Sequence, residues 1–501
     1  MTEKHDMAEK TLSQEESGQH EAIIEYTPEE ERQVLRKIDR FVLPLLCIVQ
    51  FFQCESNRRV TSRMPLSNFG CLDLDKQSIG FAAVFNLSDD LGMTSHQYSW
   101  AVSSFYFGQL TAQYIFIYLM SRLPVVRFVG CIVMVWGIAA GCLAAPNNFA
   151  GSTAVRLLLG FFEAGVSPAF VLITSAWYRK SEQNFRVATW VSCNGLAQIL
   201  GALIMYGVGM AKETAIATWR VMFLVCGGGT LLAGTLFLIF MPVSPDRAWF
   251  LDERQRKVAI ARLASDRLSK EQRNFDRSQV WEFITDPRAW LLVLGGFFNT
   301  LASPVIKFAT LVINGFGWSK MNTMLVSLPA GAIQITFVWI IVIGIRVTPF
   351  PRYVWGVVSC LPALVGNIGV ASLPADNKWG IVVCTWLATV LTPQMTVTLG
   401  LIGSNIKGIT KKTAVSNGYF ILYAAAAIAG PQLWTKPPRY TEGVVTDIVS
   451  IGLTIATFIL FGLMAARENR RRDRVNAETP FSHTGDDDLT DKQDLGFRYT
   501  L

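Results

Sequence analysis

Arg156 and Glu163, in RLLLGFFEAG, stand seven residues apart inside an apolar block, two helical turns and hence on one face. Lys307, in SPVIKFATL, interrupts another block, with Asn299 two turns before it. Asp75 and Lys76 are adjacent in LDKQS. Asn194 and Gln198, i and i+4 in SCNGLAQILG, share a helical face, and Gln394, Asn417 and Tyr419 bring polar groups to the later blocks. An ionisable side chain in hydrocarbon is costly and by default marks a ligand, an ion pathway or a partner charge. The chemistry on offer is recognition: cations that hold an anion, carboxylates that carry a proton, amides and a phenol that hydrogen-bond cargo. Each group also has a structural alternative. Asp75 with Lys76, or Arg156 with Glu163, can form internal charge networks; Lys307 can reach an interface by snorkelling; and the amides can join helices to one another.

Nothing in the chain reads as catalytic. There is no GxSxG and no GxxxxGK[ST], and the four histidines, His5, His20, His96 and His483, all lie outside the middles of apolar blocks. No enzyme is expected, and without a nucleotide loop an ion gradient is the expected energy source. The nine cysteines show no CxxC or Cys/His spacing, so no metal, cofactor or disulfide framework is expected. A net charge of +7 could speak for nucleic acid. The basic residues instead cluster beside apolar blocks, which points to anionic lipid headgroups and away from nucleic acid.

The elements that would position these residues follow from the distribution of charge. Hydrophobic residues make up 51% of the 501, and the charges collect in residues 1–40, 246–288 and 467–501. Between them lie apolar blocks of about 20 residues, the length that crosses a bilayer as a helix. Spans are expected near 98–120, 125–145, 150–178, 186–210 and 219–241, and again near 289–313, 322–346, 353–373, 379–403, 413–435 and 445–466. An interrupted block beginning at residue 41 makes a twelfth. The expectation is an all-α polytopic membrane protein of two six-helix halves, 41–241 and 289–466, joined by a central loop at 242–288, the layout of a transporter built from repeated halves. Loop arginines and lysines favour placing the 1–40 and 467–501 tails in the cytosol. No cleavable signal peptide is read. The end of the chain, SHTGDDDLTDKQDLGFRYTL, is polar and expected to be disordered.

Several stretches resemble one fungal branch of the major facilitator superfamily, the anion:cation symporters related to allantoate permease. They are LDKQSIGFAAVFNLSDDLGMTSHQYSW, RLLLGFFEAGVSPAFVLITSAWY, WVSCNGLAQILGALIMYGVG, INGFGW, ADNKWG, SNIKGITKKTAVSNGYFI and AGPQLW, and they run through most of the chain in order. The resemblance implies a major facilitator fold and a monomeric plasma-membrane carrier. It also implies alternating access that moves a small organic anion of the allantoate, ureide, vitamin or peptide class together with protons. The segment holding Asp75 and Lys76 would line the cavity, Lys76 attracting a carboxylate and Asp75 relaying a proton. Arg156 falls on the family's fourth-helix motif, where the arginine is associated with proton coupling, and Glu163 would be a proton site beside it. A nutrient sensor of transporter-like build is the alternative; the tails read as too short and plain for it.

One stretch departs from the family. Relatives read FFQYLDKQS, whereas here CESNRRVTSRMPLSNFGCLD separates FFQ from LDKQS. Arg58, Arg59 and Arg63 would each cost on the order of 2.5–3.5 kcal/mol at mid-membrane. Residues 54–73 are consistent with a retained intron: Cys54-Glu55-Ser56 can be encoded with a GTGAGT donor, Ser67-Asn68 with a CTAAC branch sequence, and Leu72-Asp73 with a TAG acceptor. Excision would replace these twenty residues by one tyrosine. Sequencing the transcript across Phe51 to Ser78 is expected to find a spliced message. A message that always retains the stretch would mean an interrupted first span and an impaired carrier.

Overall fold

Apolar runs that cross a bilayer must satisfy their own backbone groups, and the described residues do so as α-helices, with no strand among them. The computed structural model describes residues 26–52, 74–179, 182, 196, 198–211, 216–267, 276–437, 440–478 and 489–501. The insertion at 54–73 and Asn194 lie outside them.

The first half begins with α1 (Pro28–Phe52) and α2 (Leu74–Val84), followed by α3 (Ser95–Arg122) and α4 (Val125–Cys142). The fourth span is a pair, α5 (Phe149–Glu163) and α6 (Val166–Trp177); then come α7 (Gln198–Met210) and α8 (Thr218–Phe240). The linking segment carries α9 (Glu253–Arg267) and α10 (Arg277–Ile284). The second half holds α11 (Pro287–Leu301) with α12 (Pro304–Gly315), α13 (Lys320–Val347), α14 (Arg352–Ser372), α15 (Lys378–Ala388) with α16 (Thr392–Asn405), α17 (Ile409–Ala429) and α18 (Thr441–Glu478). Eight helical stretches among the described residues are long and apolar enough to cross a membrane: α4, α8 and all six spans of the second half.

Local sequence explains where helices begin and break. Thr94 and Gln97 cap α3 reciprocally, each side chain accepting the other's backbone N–H. The fourth, seventh and tenth spans are each divided, and Pro304 and Pro393 follow two of the divisions, because proline has no N–H to continue the ladder. Carbonyls freed at the tenth-span break are met by side chains. Gln394 Nε2 donates to Val390 O at 3.1 Å and to Ser359 O at 2.7 Å, and Asn299 Nδ2 donates to Leu391 O at 3.5 Å. Glycine sets the closest helix contact: a Cβ on Gly160 would lie 1.9 Å from Phe105 O, and one on Gly108 2.0 Å from Leu157 O, so α3 and α5 touch backbone to backbone.

The bundle has a terminal face, where α1 begins and the linking segment and the C-terminal segment gather, and an opposite face. At the terminal face Arg179 pairs with Glu31 at 2.5 Å and donates to Tyr26 Oη and to Arg262 O, both at 2.7 Å. Arg262 in turn pairs with Glu182. This ties α1, the end of the fourth span and α9 together.

The expectation of a disordered C-terminus is overturned for residues 489–501, which pack against the terminal face of the second half. Arg472 on α18 donates to the carbonyls of Asp491, Asp494 and Phe497 at 2.7, 3.1 and 2.8 Å. Tyr499 is bracketed by two guanidinium groups, Arg288 at 4.2 Å and Arg472 at 4.8 Å from its ring. Asn469 exchanges two backbone hydrogen bonds with Tyr499, and Thr500 N donates to Asn405 Oδ1 at 2.7 Å. Composition suggested disorder because the segment is polar. The partners that order it are buried polar groups from four other parts of the chain, which composition does not register.

Candidate functional site

Between the halves lies a narrow cleft lined by Lys307, Gln198, Thr310, Ser327, Thr385 and Thr389 among the apolar walls of Phe81 and Trp386. Its polar groups come from the fifth, seventh, eighth and tenth spans. Gly80 allows α2 to press on the backbone of the seventh span: a Cβ there would lie 2.4 Å from Lys307 O.

Two cations flank one aromatic pair. The Lys307 ammonium sits 4.7 Å from the centre of the Tyr106 ring, and the Arg156 guanidinium 5.9 Å from that of Phe105. Phe105 and Tyr106 are consecutive on α3, with ring centroids 5.1 Å apart. Lys307 comes from the second half and Arg156 from the first, and both are buried. A desolvated cation on an aromatic face is worth about 2 kcal/mol.

The other expected site residues are spread more widely. Glu163 is buried two turns from Arg156 on the same helix. Asp75 and Lys76 lie on α2. Asn299 and Gln394 serve the tenth-span break. Tyr419 is buried against Gly296, whose Cβ would meet its ring at 2.1 Å, and Asn417 is exposed. The structure thus brings Lys307 and Gln198 into the cleft, with Arg156 behind the aromatic pair. It does not bring Asn299, Gln394, Asn417 or Tyr419 among the cleft-lining residues. Sequence reasoning passed over Thr310, Ser327, Thr385, Thr389 and Tyr106. Thr385 and Thr389, four residues apart in an apolar run, offered a weak signal.

At the opposite face the halves are sealed. Ser103 Oγ donates to Ile428 O at 2.7 Å, Gln432 Nε2 to Ser103 Oγ at 2.9 Å, Ser99 Oγ to Trp434 O at 3.3 Å, and Lys320 Nζ to Asn86 Oδ1 at 2.8 Å. Tyr98 stacks edge-on against Phe308 at 5.5 Å, and Phe308 packs on Trp434 and Tyr440 at 5.2 and 5.3 Å.

A carboxylate cluster of another kind lies at the terminal face, where oxygens of Glu282, Asp286 and Asp491 converge within 4.8 Å. The Lys411 ammonium bonds to all three, at 2.7, 2.8 and 2.7 Å. It fills the place a metal ion would take.

The family model described as Major Facilitator Superfamily matches residues 67–431. Among curated proteins, an uncharacterized transporter of Schizosaccharomyces pombe is 33% identical over 95% of this chain and 88% of its own length. The allantoate permease of Saccharomyces cerevisiae is 30% identical over 95% and 88%, and a thiamine pathway transporter of the same yeast 28% identical over 93% and 86%. Among solved structures, a D-xylose-proton symporter superposes with a TM-score of 0.60 at 14% identity over 85% of this chain and 97% of its own. A bacterial homologue of the human lysosomal transporter Spinster, in an inward-facing and unoccupied conformation, gives 0.59 at 15% identity over 87% and 97%.

Proposed function

The chain belongs to the major facilitator superfamily of membrane transporters, and from that premise we propose that it carries a small organic anion inward with protons by alternating access. The observation that carries this reading is the pair of cations, Lys307 and Arg156, set on either side of Phe105 and Tyr106 beside a cleft between the halves. Similarity to allantoate permease supports a cargo of the allantoate, ureide, vitamin or small-peptide class. The terminal face is taken as cytosolic and the membrane as the plasma membrane, with the protein working as a monomer. Sealing of the opposite face then leaves the cleft to communicate with the cytosol. Arg156, Lys307 and Lys76 supply the positive field, Gln198 and its neighbours the hydrogen bonds, and Asp75 or Glu163 the proton. Co-transport of a proton cancels the anion's charge, which against 100 mV is worth about 2.3 kcal/mol.

Uptake of labelled allantoate and related anions by a yeast strain lacking its own permeases tests the reading. Accumulation is expected to rise as the external medium is acidified and to collapse with a protonophore. Uptake indifferent to both would refute proton coupling. A sensor gains support from the docked segment 489–501, since a tail seated on five spans can report their movement; binding without uptake would identify that role. An isoform impaired by residues 54–73 would show neither until the stretch is removed.

A further inference from the structure

Asp447 is fully buried in the second turn of α18, near the opposite face. Among the described residues no donor meets either of its carboxylate oxygens with hydrogen-bond geometry. Its neighbour is the indole of Trp434, whose N–H acts on the carboxylate although it falls short of full hydrogen-bond geometry. The Trp434 ring lies along α18 one turn earlier, where a Cβ on Gly443 would touch it at 2.5 Å. Trp434 belongs to the aromatic seal with Phe308, Tyr440 and Tyr98, so Asp447 lies directly behind the contact that closes the halves.

The elements packed on α18 are α11, α12, α14 and the turn Gly430–Leu433. Their ionisable groups are engaged or distant. Arg288 of α11 lies over Tyr499 and Arg352 of α14 bonds Leu501, both at the terminal face, where Tyr353 of α14 also lies. Cys360 of α14 donates to Gly356 O, and Lys307 of α12 lies over Tyr106. On α18 itself Glu442 pairs with Lys436, and Glu468 with Arg472 at the far end. None of these groups meets an Asp447 oxygen with hydrogen-bond geometry. A carboxylate ion enclosed in this way costs several kcal/mol, whereas the neutral acid costs far less. Once the aromatic seal parts and water enters, the ion is affordable.

We propose that Asp447 takes a proton from the opposite face whenever the seal closes and returns it when the seal reopens, so that closure there consumes one proton. An O–H bond forms on the carboxylate at the expense of a hydronium ion in the entering water, and it breaks by the reverse transfer. The proton travels neither with the cargo nor across the membrane. The inference rests on the alternating-access reading and adds a second proton to it, distinct from the coupling proton assigned to Asp75 or Glu163. By linkage, the equilibrium between open and closed seal shifts by up to about tenfold per pH unit while the open form is ionised.

The test needs no cargo. Ser99→Cys places a thiol at the seal, and Ser95→Cys places one at an exposed site on the same helix, which reports intrinsic thiol chemistry. A membrane-impermeant maleimide is applied from the opposite face at a series of pH values. The ratio of labelling at 99 to labelling at 95 is expected to climb several-fold as the medium is made alkaline. It should become low and flat with Asp447→Asn, and climb again with Asp447→Glu. A ratio independent of pH in the protein with its native aspartate overturns the proposal, whether or not the asparagine variant folds. Proton-driven uptake with a flat ratio would remove Asp447 and leave the coupling reading standing. A climbing ratio with uptake indifferent to protons would do the opposite.

Discussion

Replacing Lys411 by methionine is expected to destabilise the protein by about 3–5 kcal/mol, the cost of leaving buried charges without their partner. Lys411 is fully buried, and its three N–H groups are matched one for one to carboxylates of Glu282, Asp286 and Asp491. These come from α10, the cap of α11 and the C-terminal segment, so one ammonium joins the linker, the seventh span, the eleventh span and the tail. Lys411→Arg is expected to recover little, because a planar guanidinium cannot aim at three acceptors arranged about a tetrahedral nitrogen. Burial alone would raise the Asp286 carboxyl, but Lys411 bonded to it and Arg288 nearby outweigh that and hold it below the usual carboxylate range. A depressed value in the folded state means that its contribution is complete above the ordinary aspartate value near 3.9 and is lost as pH falls through the folded one. Thermal unfolding of purified protein in detergent, with proteolysis of the C-terminal segment followed in parallel, checks the substitution. Melting unchanged from the parent would show that the cluster contributes nothing net. Adding Glu282→Gln and Asp286→Asn to Lys411→Met should restore part of the loss, since only one of the three carboxylates, Asp491, then remains charged.

Lys307→Gln is expected to raise the KM for an anionic cargo by about 10- to 100-fold, the equivalent of one charge-assisted hydrogen bond of about 1.5–3 kcal/mol. Protein level should be little changed, because the amide occupies similar volume and still hydrogen-bonds. Lys307→Arg keeps the charge and the contact with the Tyr106 ring, and should lie between the two. Uptake kinetics normalised to surface protein give the answer. An unchanged KM in Lys307→Gln would mean that the ammonium holds the helices rather than the cargo.

Much of this fold was open to reading from the chain, for a reason specific to membranes: a span has to be apolar over its whole length, so charge distribution alone delimits it. The same logic made Arg156 and Lys307 conspicuous; Lys307 lines the cleft, and Arg156 lies over the Phe105 ring. Hydroxyls are another matter. Thr385 donates to Ile381 O and Ser327 to Met324 O, within their own helices, so they cost little in an apolar run and leave no anomaly to notice. Asp447 escaped notice because an acid near the start of a helix, in TEGVVTD, looks like an ordinary N-terminal charge. Only packing against Trp434 reveals that it is enclosed. The C-terminal segment was misread for the converse reason: its polar residues find buried partners that are remote in sequence, such as Lys411 and Arg472.

The seal at the opposite face is thin. Among the described residues, four hydrogen bonds at about 0.5–1.5 kcal/mol net each and one edge-on ring pair of similar worth amount to only a few kcal/mol. A shift from 1:99 to 99:1 between two states takes about 5.5 kcal/mol of differential affinity, which a single small molecule can supply through a handful of contacts. Two of those four bonds join a serine hydroxyl to a backbone carbonyl, so they re-form without waiting for long side chains to find their rotamers. Opening of a latch of this depth falls among the motions that proteins make in microseconds to seconds.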